Sequence, residues 1–93
     1  MLLKNLIKNS PSDLRNLDIK GLALNSKKVK KGFIFFAIKG SRSNGENFIN
    51  QAIKNGAILI ICGSNCKFYS SKIHVIKTKK VRSFLSEITS KFY

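Results

Sequence analysis

Carboxylates are the scarcest chemistry in this chain: Asp13, Asp18, Glu46 and Glu87 are the four acidic residues among 93. No two of them are spaced as a catalytic pair. General acid-base work would fall to Glu46 or to His74, the single histidine, whose place at a strand start suits a structural or partly exposed role. Neither G-x-x-x-x-G-K-[ST] nor G-x-G-x-x-G occurs, so these residues cannot assemble a self-contained ATP-using enzyme. Tryptophan is absent, proline occurs once and glycine six times, which excludes a fibrous or low-complexity chain. With Cys62, Cys66 and one histidine, a closed zinc site lacks ligands, and no metal is expected. So aliphatic a domain needs no disulfide staple, and the two cysteines read as reduced thiols in a cytoplasmic protein. No apolar run approaches a membrane span, and Lys4 interrupts the opening stretch MLLKNLIKNS, which is therefore not an export signal.

What is present is cationic and aliphatic. The formal charge is +14, with fifteen lysines and three arginines. So basic a small domain raises nucleic acid or an anionic membrane as partners. The bias toward lysine argues for a solvated surface instead, because base readout and bidentate phosphate clamping favour arginine. Abundant Lys, Asn and Ile together match the drift of surface positions in an A/T-rich genome. Neither nucleic acid nor a membrane is the expected partner. The 43% hydrophobic content is enough for one domain over residues 1–93, burying roughly 60 to 65% of its unfolded surface.

The hydrophobic pattern reads as alternating strands and helices. Leu2, Leu3, Leu6 and Ile7 recur at helical spacing before Asn9-Ser10-Pro11-Ser12 breaks the pattern, predicting a short N-terminal helix. Ile19 to Leu24 reads as a strand ending at Asn25-Ser26, and Lys27 to Lys31 as a charged turn closed by Gly32. Phe33 to Ile38 is continuously apolar, as a central strand covered on both faces would be. Phe48, Ile49, Ala52 and Ile53 stripe a helix from Glu46 to Asn55, with Asn44 as N-cap and Gly56 as the left-handed C-terminal cap. Ala57 to Cys62 is a further buried strand, completing a strand-helix-strand crossover unit. After the loop Gly63 to Lys72, His74-Val75-Ile76 is a short strand, and Lys79 to Phe92 is an amphipathic helix covering one face. The fold class expected is α/β: a small three-layer domain with a mostly parallel sheet and a strand-loop-helix nucleotide-binding edge.

Binding chemistry concentrates after the central strand. The loop Lys39-Gly40-Ser41-Arg42-Ser43-Asn44-Gly45 sits between a strand's C-terminal end and a helix start, the edge where open α/β sheets collect ligands. Free backbone N–H groups, the Ser41 and Ser43 hydroxyls and the Arg42 guanidinium suit a phosphate-bearing anion. Ser26, ending the preceding strand, shares that edge if the two strands are neighbours. The same residues also fit a plain hydrophilic connection with a capping asparagine.

Leu24-Asn25-Ser26-Lys27-Lys28-Val29-x-x-Gly32-x-x-Phe35-x-Ala37-x-x-Gly40, then Asn44-Gly45-x-x-Phe48-Ile49-x-x-Ala52-x-x-x-Gly56-Ala57, resembles the N-terminal domain of the Mur ligases. These are ATP-dependent amide ligases of peptidoglycan synthesis. The family pattern runs D-S-R-x-V-x-x-G-x-x-F-x-A-x-x-G and then D-G-x-x-F-I-x-x-A-x-x-x-G-A, and the likeness spans Ile19 to Tyr93. The ending, Val75-Ile76, Val81-Arg82-x-x-Leu85 and Phe92-Tyr93, is similar to members that add the third stem-peptide residue; the sister ligase adding D-Ala-D-Ala follows nearly the same pattern. The resemblance implies a UDP-binding domain that holds the UDP-MurNAc-dipeptide substrate and is itself non-catalytic. ATP with Mg2+ would belong to the full-length enzyme, whose ATP-binding and C-terminal domains lie outside these residues. Carried over by position, Leu24, Ser26, Ser41, Arg42 and Ser43 would meet the UDP, with Asn25, Asn44, Gly40 and Gly45 supporting the loop. Asn25, Lys27 and Asn44 depart from the family's Asp, Arg and Asp, keeping the capping shape at Asn25 and Asn44 without its charge.

Overall fold

Side chains on the central strands divide by parity between two separate cores. The computed structural model describes residues 1–7, 12–38, 44–70 and 72–92. Within them β1 (Gly21–Ala23), β2 (Phe33–Ala37), β3 (Leu59–Gly63) and β4 (His74–Thr78) form one sheet in the order β1-β2-β3-β4, every pair parallel. Ile34, Phe36, Leu59 and Ile61 point into one core, and Phe35, Ala37, Ile60 and Cys62 into the other. The side-chain period of two in a strand requires this division, and burial on both faces explains the unbroken apolar runs.

Strand order decides what covers each face. In a sheet whose strands follow one another in sequence, crossovers of one hand must all lie on the same side. The three connections do so: Val29 from the first, Ile49 and Ala52 from the second, and Cys66 from the third share a single core. The opposite face is left to segments outside the strand run. Leu3, Leu6, Ile7 and Leu14 from the N-terminal stretch cover it together with Ile88, Phe84 and Leu85 of α2 (Val81–Phe92). The result is the expected three-layer α/β arrangement.

Three local expectations differ. The N-terminal stretch forms no α-helix but a 3-10 turn, Leu3–Asn5. Leu3 and Lys4 donate to the carbonyls of Leu17 and Arg15, and Ile19 donates to that of Met1, so the stretch is held against the segment around Asp18, with Leu2 and Asp18 bridged antiparallel, and only a short turn forms within it. The helix expected from Glu46 to Asn55 begins as a 3-10 turn, Gly45–Phe48, and becomes α1 only at Ile49–Lys54. The first strand is limited to Gly21–Ala23, because only those residues have partners on β2. Gly56 adopts φ +119° after α1, as expected of a left-handed cap.

Candidate functional site

Parallel strands place all four C-terminal ends at one edge, and two clefts open there. The first, about 570 Å³, is lined by Leu24, Asn25, Ser26, Lys27, Ile38, Gly45, Phe48, Gln51 and Arg82. The second, about 750 Å³, runs past Gly63, Ser64, Asn65 and Thr78 to the first turn of α2, and its lining includes Glu46 and the cations Lys79, Lys80 and Arg82. Ile38 and Arg82 border both.

Leu24, Asn25 and Ser26 reach the first cleft because β1 ends at Ala23 and the chain turns at once into a 3-10 turn, Ser26–Lys28. Asn25 caps that turn, its Oδ1 accepting from Lys27 N–H at 2.9 Å. Ser26 is 4% exposed, the one polar residue buried among those described. Its hydroxyl donates to Gln51 Oε1 at 2.7 Å, and its carbonyl accepts from Asn55 Nδ2 at 2.8 Å, tying the turn to α1. Such bonds satisfy the buried polar groups, and they commit the Ser26 proton to the protein's own side chain.

The other wall is the return of the loop after β2. Gly45 N–H donates to Ile38 O at 2.9 Å, closing the excursion. A Cβ on Gly45 would lie 2.7 Å from Ile38 N and 2.9 Å from Ile38 O, so this approach requires glycine. Asn44 caps the following turn as expected, accepting from Glu46 N–H at 3.0 Å. Thus Leu24, Asn25, Ser26 and Gly45 come together at one cleft. Gly40, Ser41, Arg42 and Ser43 lie outside the described residues, as do Lys39 and Tyr93.

Gln51 and Arg82 belong to the cleft and were missed by sequence reasoning. Gln51 precedes Ala52 of the buried stripe and so falls on the flank of α1. Arg82 lies in the first turn of the helix after β4, and a parallel sheet brings that turn to the same edge as the end of β1. Arg82 is exposed and has no hydrogen-bond or ion-pair partner among the described residues. Leu24 and Phe48 stand 51% and 44% exposed, two large apolar side chains bordering one cleft.

No group of three His, Cys, Asp or Glu side chains among the described residues could hold a metal ion. Glu46 is the only described carboxylate lining either cleft. Asp18 is engaged elsewhere: Lys20 Nζ at 2.7 Å and the terminal amine at 3.0 Å hold its pKa below the usual carboxylate range. Cys62 and Cys66 are free and buried. Burial, followed by the Cys66 side chain, pushes the Cys62 thiol up to about 12, which marks an inert core group. Among the described residues, no helix is long and apolar enough to cross a membrane.

Known proteins align with this chain in sequence and in fold. The family model described as Mur ligase family, catalytic domain, matches residues 18–93, and the chain belongs to the Mur ligase family. It is 43% identical over 75 residues to a UDP-N-acetylmuramoyl-L-alanyl-D-glutamate--2,6-diaminopimelate ligase of Aquifex aeolicus, covering 81% of this chain and 15% of that protein. It is 38% identical over 92 residues to a UDP-N-acetylmuramyl-tripeptide synthetase of Borreliella afzelii, covering 97% of this chain and 18% of the relative. Among solved structures, the MurF ligase from Thermotoga maritima in complex with ADP matches with a TM-score of 0.63 and 31% identity, over 75% of this chain and 16% of that one. The chain therefore spans 15% to 20% of the length of the curated relatives it matches.

Proposed function

We propose that this chain is the substrate-holding domain of a cytoplasmic ATP-dependent ligase, binding the UDP portion of UDP-MurNAc-L-Ala-D-Glu while the third stem-peptide amino acid is added elsewhere in the enzyme. The carrying observation is the cleft at the C-terminal edge, where Leu24, Ser26 and Gly45 meet beside Arg82, a cation with no partner among the described residues. An exposed guanidinium can pair two oxygens of a diphosphate. In this reading the domain positions substrate and does not itself catalyse ligation. ATP and Mg2+ then belong to the ATP-binding domain of the whole enzyme, and the partners of this domain are that unit, the C-terminal domain and the UDP-sugar peptide.

Addition of the third residue is favoured because the named sequence relatives carry tripeptide synthetase or 2,6-diaminopimelate ligase names at 38% and 43% identity. A second reading has one observation behind it. Solved structures that match include the MurF ligase of Thermotoga maritima at 31% identity and a UDP-N-acetylmuramoylalanyl-D-glutamyl-2,6-diaminopimelate--D-alanyl-D-alanyl ligase of Acinetobacter baumannii at 26%. A nucleic-acid module is disfavoured, since single-strand binding needs exposed rings on which bases stack and the aromatic side chains of Phe35 and Phe36 are fully buried.

Calorimetric titration of the chain with UDP and with ATP tests the proposal. UDP is expected to saturate one site whose affinity falls only modestly as salt is added, as for one exposed charge contact. Binding of ATP as tightly as UDP, or binding that disappears steeply with added salt, would contradict it.

A further inference from the structure

We infer that the Ser26–Gln51 pair reads the pyrimidine of the bound nucleotide and selects uracil over cytosine. This deepens the nucleotide-binding function proposed above and rests on it. A hydroxyl has one proton, and Ser26 gives its own to Gln51 Oε1 at 2.7 Å. Toward the cleft, Ser26 Oγ can then act only as an acceptor. The same bond orients the carboxamide. With Oε1 turned to Ser26, Gln51 Nε2 keeps two donor hydrogens that have no partner among the described residues. Asn55 Nδ2 anchors the Ser26 carbonyl at 2.8 Å, so the acceptor is fixed to the same helix as the donor.

A donor and an acceptor therefore sit side by side on the wall of the cleft. The imide edge of uracil carries a carbonyl oxygen next to N3–H, which is the complement of that pair: Gln51 Nε2 donates to the carbonyl and Ser26 Oγ accepts from N3–H. Cytosine reverses both groups, presenting its amino group to the Gln51 donor and an unprotonated N3 to the Ser26 acceptor. Leu24 and Phe48, both substantially exposed on this cleft, supply apolar surface for the faces of a flat ring. The sequence alone gave no such role to Gln51, because its effect depends on where the serine proton goes.

The test compares UDP with CDP on the 93-residue chain, its Gln51→Ala variant and its Gln51→Glu variant, by calorimetry or chemical-shift titration. Gln51 is exposed, so both variants are expected to fold, and an unchanged thermal transition checks this. Glutamate can still accept from Ser26 but has no hydrogen to donate. The wild-type chain is expected to bind UDP about tenfold or more tightly than CDP, the usual discrimination for a paired hydrogen-bond readout. In the alanine variant that ratio should fall to near one, and in the glutamate variant to one or below, since a carboxylate accepts from the cytosine amino group. The ratio is insensitive to repulsion between the new carboxylate and the diphosphate, which both nucleotides share. Equal wild-type affinities for UDP and CDP overturn this inference alone, as does an undiminished preference in both variants. Absence of binding by either nucleotide overturns it together with the proposed function.

Discussion

At the N-terminal end of the sheet backbone meets backbone, whereas at the C-terminal end the strands stop short of two clefts. Gly32 N–H donates to Gly56 O at 3.0 Å, Lys20 N–H to Gly32 O at 2.9 Å and Ile58 N–H to Phe33 O at 2.9 Å, lacing three strand starts together. Both positive-φ glycines among the described residues, Gly32 and Gly56, are at this end. The other end has its own tight glycine, Gly45, yet around it polar groups are spread over separate elements: Ser26, Gln51 and Arg82 come from the first connection, α1 and α2. One end is closed by backbone contacts, and the other carries the clefts to which the proposed function assigns the nucleotide. Substitutions at the two ends should separate stability from binding.

The largest effect is expected at Gly56. A Cβ there would stand 2.6 Å from Lys31 Cα and 2.7 Å from Lys31 N, in a conformation that L side chains rarely adopt. Gly56→Ala should cost about 3 kcal/mol, measured by urea denaturation, while the folded fraction keeps its UDP affinity. Gly45→Ala should do the reverse in emphasis, lowering UDP affinity more than stability, because it forces the loop away from Ile38 at the cleft. If both variants lose binding and stability in the same proportion, the division between the ends fails.

Arg82→Ala should leave the unfolding midpoint nearly unchanged, within about 0.5 kcal/mol as for an exposed side chain. It should weaken UDP binding about tenfold while changing uridine binding little, in line with loss of one charge-assisted phosphate contact. Equal losses for UDP and uridine would assign Arg82 to the fold rather than to the diphosphate.

An effect absent at neutral pH and confined to alkaline solution concerns Cys62. The Cys62 thiol is raised from 9.0 to about 12 in the folded chain, so the unfolded chain loses this proton first as pH rises. The contribution is fully present below pH 9.0 and is lost progressively between that value and about 12, with a slope of up to about 1.4 kcal/mol per pH unit. Denaturation midpoints should be flat with respect to this group up to pH 9.0 and decline above it, and the decline should be shallower in Cys62→Ala. Alkylation by iodoacetamide at pH 8 should reach Cys62 only after unfolding.

The runs Phe33 to Ile38 and Ala57 to Cys62 disclosed two doubly covered strands because burial on both faces leaves no polar alternation to obscure them. The stripe Val81, Phe84, Leu85, Ile88 disclosed α2 for the corresponding reason: one apolar face, one solvated. Less legible was the N-terminal stretch. Leu3, Leu6 and Ile7 have helical spacing, yet Leu3 and Lys4 donate to Leu17 and Arg15, and no local pattern announces a partner more than ten residues away. Leu24, Ser26 and Gly45 could be placed at the site from strand ends and a loop closure. Gln51 was missed because it lies on the flank of a helix stripe, and Arg82 because its position follows from the parallel register and from a helix that begins at the edge of the clefts. The register was implied by the crossover pattern, so a search of each helix's first turn would have found Arg82.

Residue-resolved amide shifts on titration with UDP test most directly whether the C-terminal edge is the nucleotide site. The expected result is saturable perturbation at Leu24 to Ser26, at Gly45 to Gln51 and at Arg82, with Gly32 and Gly56 unmoved. Perturbations centred on Lys30, Lys31 and the turns of the opposite end, or spread evenly over the lysines, would contradict the account.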